Sequence, residues 1–171
     1  MKQSTKDAHY WIHNLSLSPH PEGGFFRESY RSEEIIPQSA LPKRFSGERH
    51  FSTMIYYLLQ KGDFSAFHRI KSDECWHFYG GGPLDLHLLS ENGYQDIVIG
   101  TEVADGECLQ YTVPAGAWFA SEPHEGSLYS LVGCTVSPGF DFVDFEMANR
   151  RGLIEEFPLY RGLITRLTRE G

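Results

Sequence analysis

Cysteine is scarce in this chain of 171 residues, which contains only three. They are Cys75, Cys108 and Cys134, an odd number, and they lie far apart without the spacing of a metal-binding motif. The sequence therefore predicts neither a disulfide framework nor a cysteine-based metal site. Cys75 follows Glu74, but strand alternation turns the cysteine away from the interior. Cys75 is best interpreted as a small buried or interface residue.

Basic charge and long apolar runs are also lacking. Lysine and arginine total 15 against 23 aspartates and glutamates, which gives a net charge of −8, and no basic run is present. This balance argues against binding to nucleic acid or to an anionic membrane surface. No stretch approaches the ~20 apolar residues of a membrane span, and no apolar signal region follows the start of the chain. We expect a cytoplasmic protein.

Many short alternating segments, separated by turns every ten or so residues, predict an all-β barrel or sandwich. The length suits one domain, residues 1–171. Residues 1–18 are predicted to form a helical flank that begins at a capping box over Ser4–Asp7, residues 19–148 the barrel, and residues 149–171 two short helices on its outside. Residues 33–48 form a long polar loop, interpreted as a lid over the barrel or an arm toward a second subunit.

The stretch from Gly62 to Gly82 contains the most informative polar residues. Two runs within it alternate with period two, and they place His68 among apolar neighbours and Glu74 between large aromatic residues. The polar residues 71–73 between the runs predict the turn of a hairpin. A histidine and a carboxylate that face an apolar interior are costly unless they are paired or used. These two residues are therefore the predicted catalytic or ligand-binding pair.

The spacing in this stretch resembles the first motif of the cupins, Gly, five residues, His-x-His, three or four residues, Glu, six residues, Gly. The matching residues are Gly62, His68, Glu74 and Gly81. Ile70 stands where the second histidine of that motif belongs. The second cupin motif, Pro-x-Gly-x-x-His, is matched at residues 114–116, but Phe119 replaces its histidine.

Longer phrases are similar to those of an uncharacterised cupin family, a domain of unknown function. They are His20 to Arg27, Ile55 to Leu59, Asp73 to Trp76, Ser130 to Phe140 and Asp144 to Glu146. The resemblance covers roughly residues 15 to 168. It implies a double-stranded β-helix, or jelly roll, with a short N-terminal helix and C-terminal helices, and together with the apolar strand over residues 51–59 it favours a homodimer.

The cupin resemblance also bears on metal binding, because metal-dependent cupins use three histidines and a glutamate. Two of those four positions are Ile70 and Phe119, which cannot coordinate a metal, and divalent ions are normally held by three or more protein ligands. We therefore predict no cofactor, with a weak divalent-ion site at His68 and Glu74 as the exception. Recruiting His77 would require a bulge, and His124 would have to fold back over the barrel mouth.

A more distant resemblance is to the deoxysugar epimerases, carried by Gly-Phe-Phe-x-Glu at residues 24–28. It implies that Arg27 holds an anionic or sugar-phosphate group, although an ion pair with Glu28 or Glu22 is the alternative. It further implies that His68 acts as general base with Tyr56 or Tyr57 as acid. The chain has His-Arg-Ile at residues 68–70 where those enzymes have His-Tyr-Gln.

The function predicted from these residues is binding of a small polar molecule inside the barrel. A sugar or a nucleotide-sugar derivative is the expected ligand, held at His68 and Glu74 between the apolar walls of Trp76, Phe78 and Phe119. The alternatives are a metal-independent isomerase or epimerase and, third, a metal-dependent oxygenase or isomerase. Fold alone does not choose among them, because cupins host many chemistries.

Overall fold

The computed structural model describes residues 6–169, and strands dominate them. The α-helices are α1 (Ala8–Asn14), α2 (Arg150–Glu156) and α3 (Arg161–Arg166). The strands are β1 (Ser18–Pro19), β2 (Phe25–Arg31), β3 (Ile35–Ile36), β4 (Arg49–His50), β5 (Thr53–Gln60), β6 (Ser65–Arg69), β7 (Asp73–Gly81), β8 (Leu84–Ser90), β9 (Gly93–Ile99), β10 (Gln110–Val113), β11 (Trp118–Pro123), β12 (Tyr129–Ser137) and β13 (Glu146–Met147).

Two antiparallel sheets form the body of the protein. One has the strand order β1-β2-β5-β12-β7-β10 and the other β13-β6-β11-β8-β9, while β3 and β4 form a separate two-stranded ribbon. Most neighbouring strands in each large sheet are distant in sequence. For example, β12 pairs with both β5 and β7. The double-sheet jelly roll predicted from the sequence is confirmed.

The main core lies between the inner faces of the two sheets. Alternate residues of β8 point inward as Leu84, Leu86 and Leu88, opposite Trp76 of β7 and Val132 of β12. All five are buried. Burying large apolar side chains of this kind contributes about 1.5–3 kcal/mol each to folding. Further along β5, β7 and β12, the inward-facing side chains line a cavity instead of the packed core.

The outer face of the six-stranded sheet is covered in part by α1. Asp7 caps this helix by accepting a hydrogen bond from the Tyr10 backbone N–H at 2.8 Å, whereas Ser4 and Thr5 of the predicted capping box lie outside the described residues. Trp11 and its helical neighbours pack with Leu58 of β5 and Leu131 of β12. The chain's own helix therefore covers the apolar outer side of this part of β5.

The C-terminal helices pack on the outer face of the five-stranded sheet. Leu153 of α2 and Ile164 of α3 are buried against Phe67, Leu89 and Trp118, whose side chains leave the sheet on the side opposite the main core. This matches the prediction of two short helices across the outside of the barrel. No helix within residues 6–169 is long and apolar enough to cross a membrane.

The hairpin predicted across residues 71–73 is wrong. The strand before this turn, β6, pairs with β11 and β13 in the five-stranded sheet, whereas the strand after it, β7, pairs with β12 and β10 in the other sheet. At this turn the chain crosses from one sheet to the other. Turn-forming residues between two alternating runs indicate a change of direction, but the pairing partner is decided by long-range contacts.

Residues 33–48, predicted to be a lid or an arm, contain a short strand and a buried aromatic residue. Ile35 and Ile36 pair with Arg49 and His50 in the β3-β4 ribbon, and Phe45 between them is buried. The guanidinium of Arg49 lies 5.4 Å from the Phe45 ring centroid. The segment is thus folded onto its own barrel, and it brings His50 to the edge of the cavity.

Candidate functional site

A cavity of about 360 Å³ opens at one end of the barrel. It lies between the inner faces of the two sheets and the segment after β12, so its walls come from parts of the chain that are distant in sequence. Its lining residues are His20, Glu22, Phe26, Glu28, Arg31, His50, Thr53, Ile55, His68, Ile70, Glu74, Cys134, Val136, Phe140, Asp141, Phe142 and Phe145.

Glu22 reaches this cavity from the tight turn that precedes β2. Its backbone carbonyl accepts a hydrogen bond from the Ala66 N–H of β6 at 3.0 Å, and the next carbonyl, of Gly23, accepts one from the Tyr57 hydroxyl at 2.7 Å. Gly23 has φ +123°, and a Cβ there would lie 2.1 Å from the Phe64 carbonyl oxygen. Only glycine suits this position, and its close approach to the Phe64 carbonyl fixes where Glu22 lies.

His68 is buried, and both of its ring nitrogens have partners. Nδ1 lies 2.8 Å from the Ala66 carbonyl oxygen, which can only accept, so Nδ1 carries a proton. Nε2 lies 3.0 Å from Oε2 of Glu22. This second contact is an ion pair when the imidazole carries a proton on both nitrogens. Beside the larger effect of burial, the charge of Glu22 acts to raise the pKa of both His20 and Glu74, and we take Glu22 as the carboxylate of the pair.

His20 contacts Glu22 from the other side and is neutral. The Glu22 backbone N–H donates to Nδ1 of His20 at 3.3 Å, so this nitrogen is an acceptor and carries no proton. Burial lowers the pKa of His20 despite the opposing effect of the Glu22 charge. The ring packs edge-on against Phe26 at a centroid distance of 4.4 Å.

Glu74 extends from β7 into the same cavity, where it is only 8% exposed. Burial, and after it the charge of Glu22, raise its pKa to about 8, while a hydrogen bond with the Cys134 thiol acts in the opposite direction. At neutral pH Glu74 is therefore mainly a carboxylic acid, which can donate a hydrogen bond. Two of the carboxyl groups that line the cavity, Glu22 and Glu74, thus differ in protonation state.

The mouth of the cavity contains a bidentate ion pair and a group of aromatic rings. Arg31 donates to both carboxylate oxygens of Glu28, at 2.9 and 2.7 Å, and to the Phe140 carbonyl at 3.1 Å. Phe145 lies over the His68 ring with centroids 5.1 Å apart, and Phe142 packs beside it at 6.1 Å. An apolar rim therefore surrounds the buried polar groups.

The structure brings His68 and Glu74 into one cavity, and it separates the two tyrosines. Tyr57 faces the interior and hydrogen bonds to the Gly23 carbonyl. Tyr56 lies on the outer face, where Arg27 sits 5.7 Å above its ring. The expectation that Arg27 and Tyr56 contact a ligand in the barrel is therefore not met. Neither alternative ion pair of Arg27 forms, since Glu28 pairs with Arg31 and Glu22 with His68.

The aromatic walls also differ from those expected. Trp76 and Phe119 belong to the packed core, and Phe78 is a partly buried residue packed against that core. None of the three is among the described residues that line the cavity. The rings that do line it are Phe26, Phe140, Phe142 and Phe145. Strand alternation correctly predicted that these side chains point inward, but it does not predict how far along the barrel axis a residue lies.

The side chains present do not fit a divalent ion of the cupin type. Ile70 lines the cavity at one ligand position, and Phe119 packs on the His68 ring at a centroid distance of 4.1 Å. Both nitrogens of His68 already have partners. His77 contacts Thr135 at 3.1 Å, and His124 contacts Asp85 at 2.6 Å. Within residues 6–169, no three metal-binding side chains are grouped to hold an ion.

Sequence reasoning did not assign Glu22 and His20 to the site. Their side chains are brought to β6 by the turn over residues 21–24, and no spacing rule links them to His68, which lies 46 positions beyond Glu22. The signal that could have identified them is the phrase His-Pro-Glu-Gly-Gly at residues 20–24. The two glycines that follow Glu22 allow the backbone of this turn to lie close to a neighbouring strand, which holds the acidic side chain in place.

A family model described as cupin superfamily (DUF985) matches residues 9–148. An uncharacterized protein of Saccharomyces cerevisiae is 32% identical over 146 residues, which are 78% of this chain and 71% of the yeast protein.

Solved structures give the same result. A hypothetical protein from Leishmania major and a protein from Shewanella oneidensis each have a TM-score of 0.86 at 37% identity, over 96% of this chain and 99% of theirs. Oxalate decarboxylase from Bacillus subtilis is more distant, with a TM-score of 0.53 at 14% identity over 90% of this chain and 37% of that enzyme. At that identity the likeness extends to the fold alone.

Proposed function

Because the chain belongs to the DUF985 family of the cupin superfamily, a fold that hosts many chemistries, we propose a function from the cavity itself. The protein binds a small, uncharged, polar organic molecule at Glu22, His68 and Glu74. The single observation that carries this proposal is Glu74, a carboxyl group 8% exposed that faces the cavity and whose hydrogen-bonding partner among residues 6–169 is a thiol.

The cost of burying these groups supports a ligand. A buried polar group without a strong hydrogen bond costs roughly 1–3 kcal/mol by mutational measurements. A leucine at position 74 would avoid that cost and extend the apolar interior. A ligand with a hydrogen-bond acceptor would satisfy the protonated Glu74, and one with a donor would satisfy the free lone pairs of Glu22.

Size and charge define the kind of ligand. The cavity, at about 360 Å³, is near the lower end of the usual range of small-molecule sites. Among the described lining residues the one arginine is Arg31, whose guanidinium is held by Glu28 and the Phe140 carbonyl. Asp141 adds a further carboxyl at the mouth. A phosphate or diphosphate would thus find no free arginine or lysine here, which favours an unphosphorylated sugar-sized molecule over a nucleotide sugar.

Calorimetry and thermal shift with paired compounds test this proposal. The probes are D-glucose, D-fructose and L-rhamnose, each compared with a phosphorylated counterpart. We expect saturable binding of at least one uncharged compound and weaker or no binding of its phosphate. A bound ligand at 100 times its Kd would stabilise the fold by about 2.7 kcal/mol.

Two variants make the test specific to the site. Glu74→Leu removes the buried carboxyl, and we expect it to fold and to lose binding. Glu146→Gln changes an exposed residue paired with Arg69 on the outside, and we expect it to bind like the wild type. Preferential binding of the phosphates, binding unchanged in Glu74→Leu, or no binding of any of these compounds would contradict the proposal.

A metal-independent isomerase is the second candidate function. The observation that favours it is the pairing of a carboxylate, Glu22, with a protonated carboxyl, Glu74, in one cavity. Two titratable groups whose environments separate their protonation states are the usual arrangement for acid–base chemistry.

A further inference from the structure

The two polar contacts of the His68 ring limit what it can do. Nδ1 donates to the Ala66 carbonyl at 2.8 Å, and Nε2 contacts Glu22 at 3.0 Å. A general base must reach the proton that it removes with a free lone pair. Neither nitrogen of His68 offers one, so a role as the base, as the epimerase resemblance implies, does not suit this geometry.

Glu22 offers the free lone pairs that His68 lacks. Its Oε2 lies 3.0 Å from Nε2 of His68, and its side chain, 8% exposed, still lines the cavity. The turn that carries it is fixed by the Ala66 and Tyr57 hydrogen bonds to its backbone. A carboxylate held in this way has lone pairs left for a ligand, while the imidazole behind it keeps its orientation.

We propose that Glu22 is the base of this site, that His68 is the residue that positions it, and that the substrate is a small uncharged hydroxycarbonyl compound whose carbonyl oxygen accepts a proton from Glu74. This inference rests on the proposed function, since it requires that an uncharged molecule occupy the cavity. It adds the reacting groups and the class of substrate. A hydroxycarbonyl compound offers both an acceptor for Glu74 and an acidic C–H for Glu22.

The proton transfers balance without an oxidant, a reductant or a metal. Glu22 removes the proton from the carbon beside the carbonyl, and the electron pair of that C–H bond forms the C=C bond of an enol. The carbonyl π electrons take the proton of Glu74. Glu22 is then neutral and Glu74 is a carboxylate. Return of the carbon-bound proton from Glu22, and of a hydroxyl proton to Glu74, restores the site and gives the epimer, the isomer or the original compound.

Exchange of the carbon-bound hydrogen with solvent measures this step directly. The probes are dihydroxyacetone, D-xylulose and D-fructose, each incubated with the protein in D₂O containing EDTA and followed by proton NMR. Their binding is measured by calorimetry in parallel. We expect wild-type protein to catalyse loss of the signal of the hydrogen beside the carbonyl for at least one compound that binds.

Variants at Glu22 and Glu74 test the roles of the two carboxyls. Positioned acid–base groups contribute about 10²–10⁴-fold, so Glu22→Gln should lower the exchange rate by at least about 100-fold while the compound still binds. Glu74→Gln keeps a hydrogen-bond donor but cannot transfer a proton, and we expect a loss of similar size. Glu146→Gln, outside the cavity, should exchange at the wild-type rate.

Variants at His68 distinguish positioning from a purely structural role. His68→Gln retains an N–H donor toward Glu22, whereas His68→Leu does not. If His68 positions Glu22, the Gln variant should recover much of the exchange rate that the Leu variant loses, at equal folded fractions measured by circular dichroism. A structural role alone would leave the rates of the two folded variants alike.

The outcomes separate this inference from the proposed function. Binding without exchange in the wild type overturns the assignment of Glu22 and leaves the binding proposal intact. Exchange that persists in Glu22→Gln at the wild-type rate also overturns it. If none of the compounds binds or exchanges, the substrate class is wrong and the inference fails together with the binding site for such compounds.

Discussion

Oε2 of Glu22 lies 3.0 Å from Nε2 of His68, with both side chains almost completely buried. Glu22 precedes β2 of the six-stranded sheet, and His68 belongs to β6 of the five-stranded sheet. The contact therefore joins the two layers of the jelly roll at the end where the cavity opens. It contributes to the fold as well as to the site.

A double-mutant cycle should reveal strong coupling between these two residues. Removing one partner of a buried pair leaves the other uncompensated, which typically costs about 3–5 kcal/mol. We expect Glu22→Gln and His68→Leu each to lower the free energy of unfolding by that order, and the double variant to lose much less than the sum. Urea denaturation at pH 7 provides the measurement.

The exposed pair of Arg69 and Glu146, 2.8 Å apart, is the matched control. Solvent-exposed pairs of this kind contribute about 0.2–1 kcal/mol, so its cycle should give a coupling in that range. Additive effects of Glu22→Gln and His68→Leu would mean that the contact between them does not persist in solution.

Glu74 should make the stability of the protein fall with increasing pH. Burial raises its pKa from the ordinary 4.5 to about 8, so the folded state binds a proton that the unfolded state has already lost between these values. Its contribution is complete below about pH 4.5 and is lost progressively as the pH rises to about 8, with a slope of at most about 1.4 kcal/mol per pH unit.

Glu74→Gln removes this titration. We expect the free energy of unfolding of the variant to decline less steeply than that of the wild type between pH 5 and 8, and the two curves to run parallel above about pH 9. Guanidinium denaturation at half-unit pH steps would detect the difference. Equal slopes in the two proteins would show that Glu74 is ionised in the folded state at neutral pH.

The buried pair of Arg49 and Asp144 should matter more to stability than any surface pair. Arg49 donates to both carboxylate oxygens of Asp144, at 2.7 and 2.6 Å, and each side chain is 3% exposed. We expect Asp144→Asn to cost about 3–5 kcal/mol. Glu146→Gln, two positions along the chain, should cost less than about 1 kcal/mol. A difference below 1 kcal/mol between the two variants in thermal denaturation would contradict this.

Gly23→Ala should disturb the site through the backbone. A Cβ at this position would lie 2.1 Å from the Phe64 carbonyl oxygen, and φ is +123°. The turn must shift, which moves Glu22 away from His68. Gly62→Ala is the control, because φ is +86° there but no atom lies within 4 Å of the added Cβ.

We expect the control to show only the conformational cost of a positive φ, of order 1 kcal/mol. Gly23→Ala should lose more stability than the control and should also lose the proton NMR signal of the His68 ring N–H bonded to Glu22. If that signal were retained, the turn would tolerate a side chain and the argument for its rigidity would be wrong.

The sequence by itself determined that His68 and Glu74 face the barrel interior. Period-two alternation placed His68 and Glu74 inside, and the cupin spacing, together with the family phrases, predicted the two-sheet fold. Ile70 and Phe119 showed at this level that two of the positions that bind metal in other cupins hold residues that cannot coordinate an ion. These features are local, because alternation and motif spacing depend only on neighbouring residues in the chain.

The tertiary structure decided which of these residues meet, and with what. It separated β6 and β7 into different sheets, left Arg27 and Tyr56 outside, and placed Trp76 below the cavity rather than in its wall. It also brought Glu22 to His68 across 46 positions. Strand pairing and depth along a barrel arise from long-range packing, which alternation does not encode. For that reason the acidic partner of His68 became visible only in the folded protein.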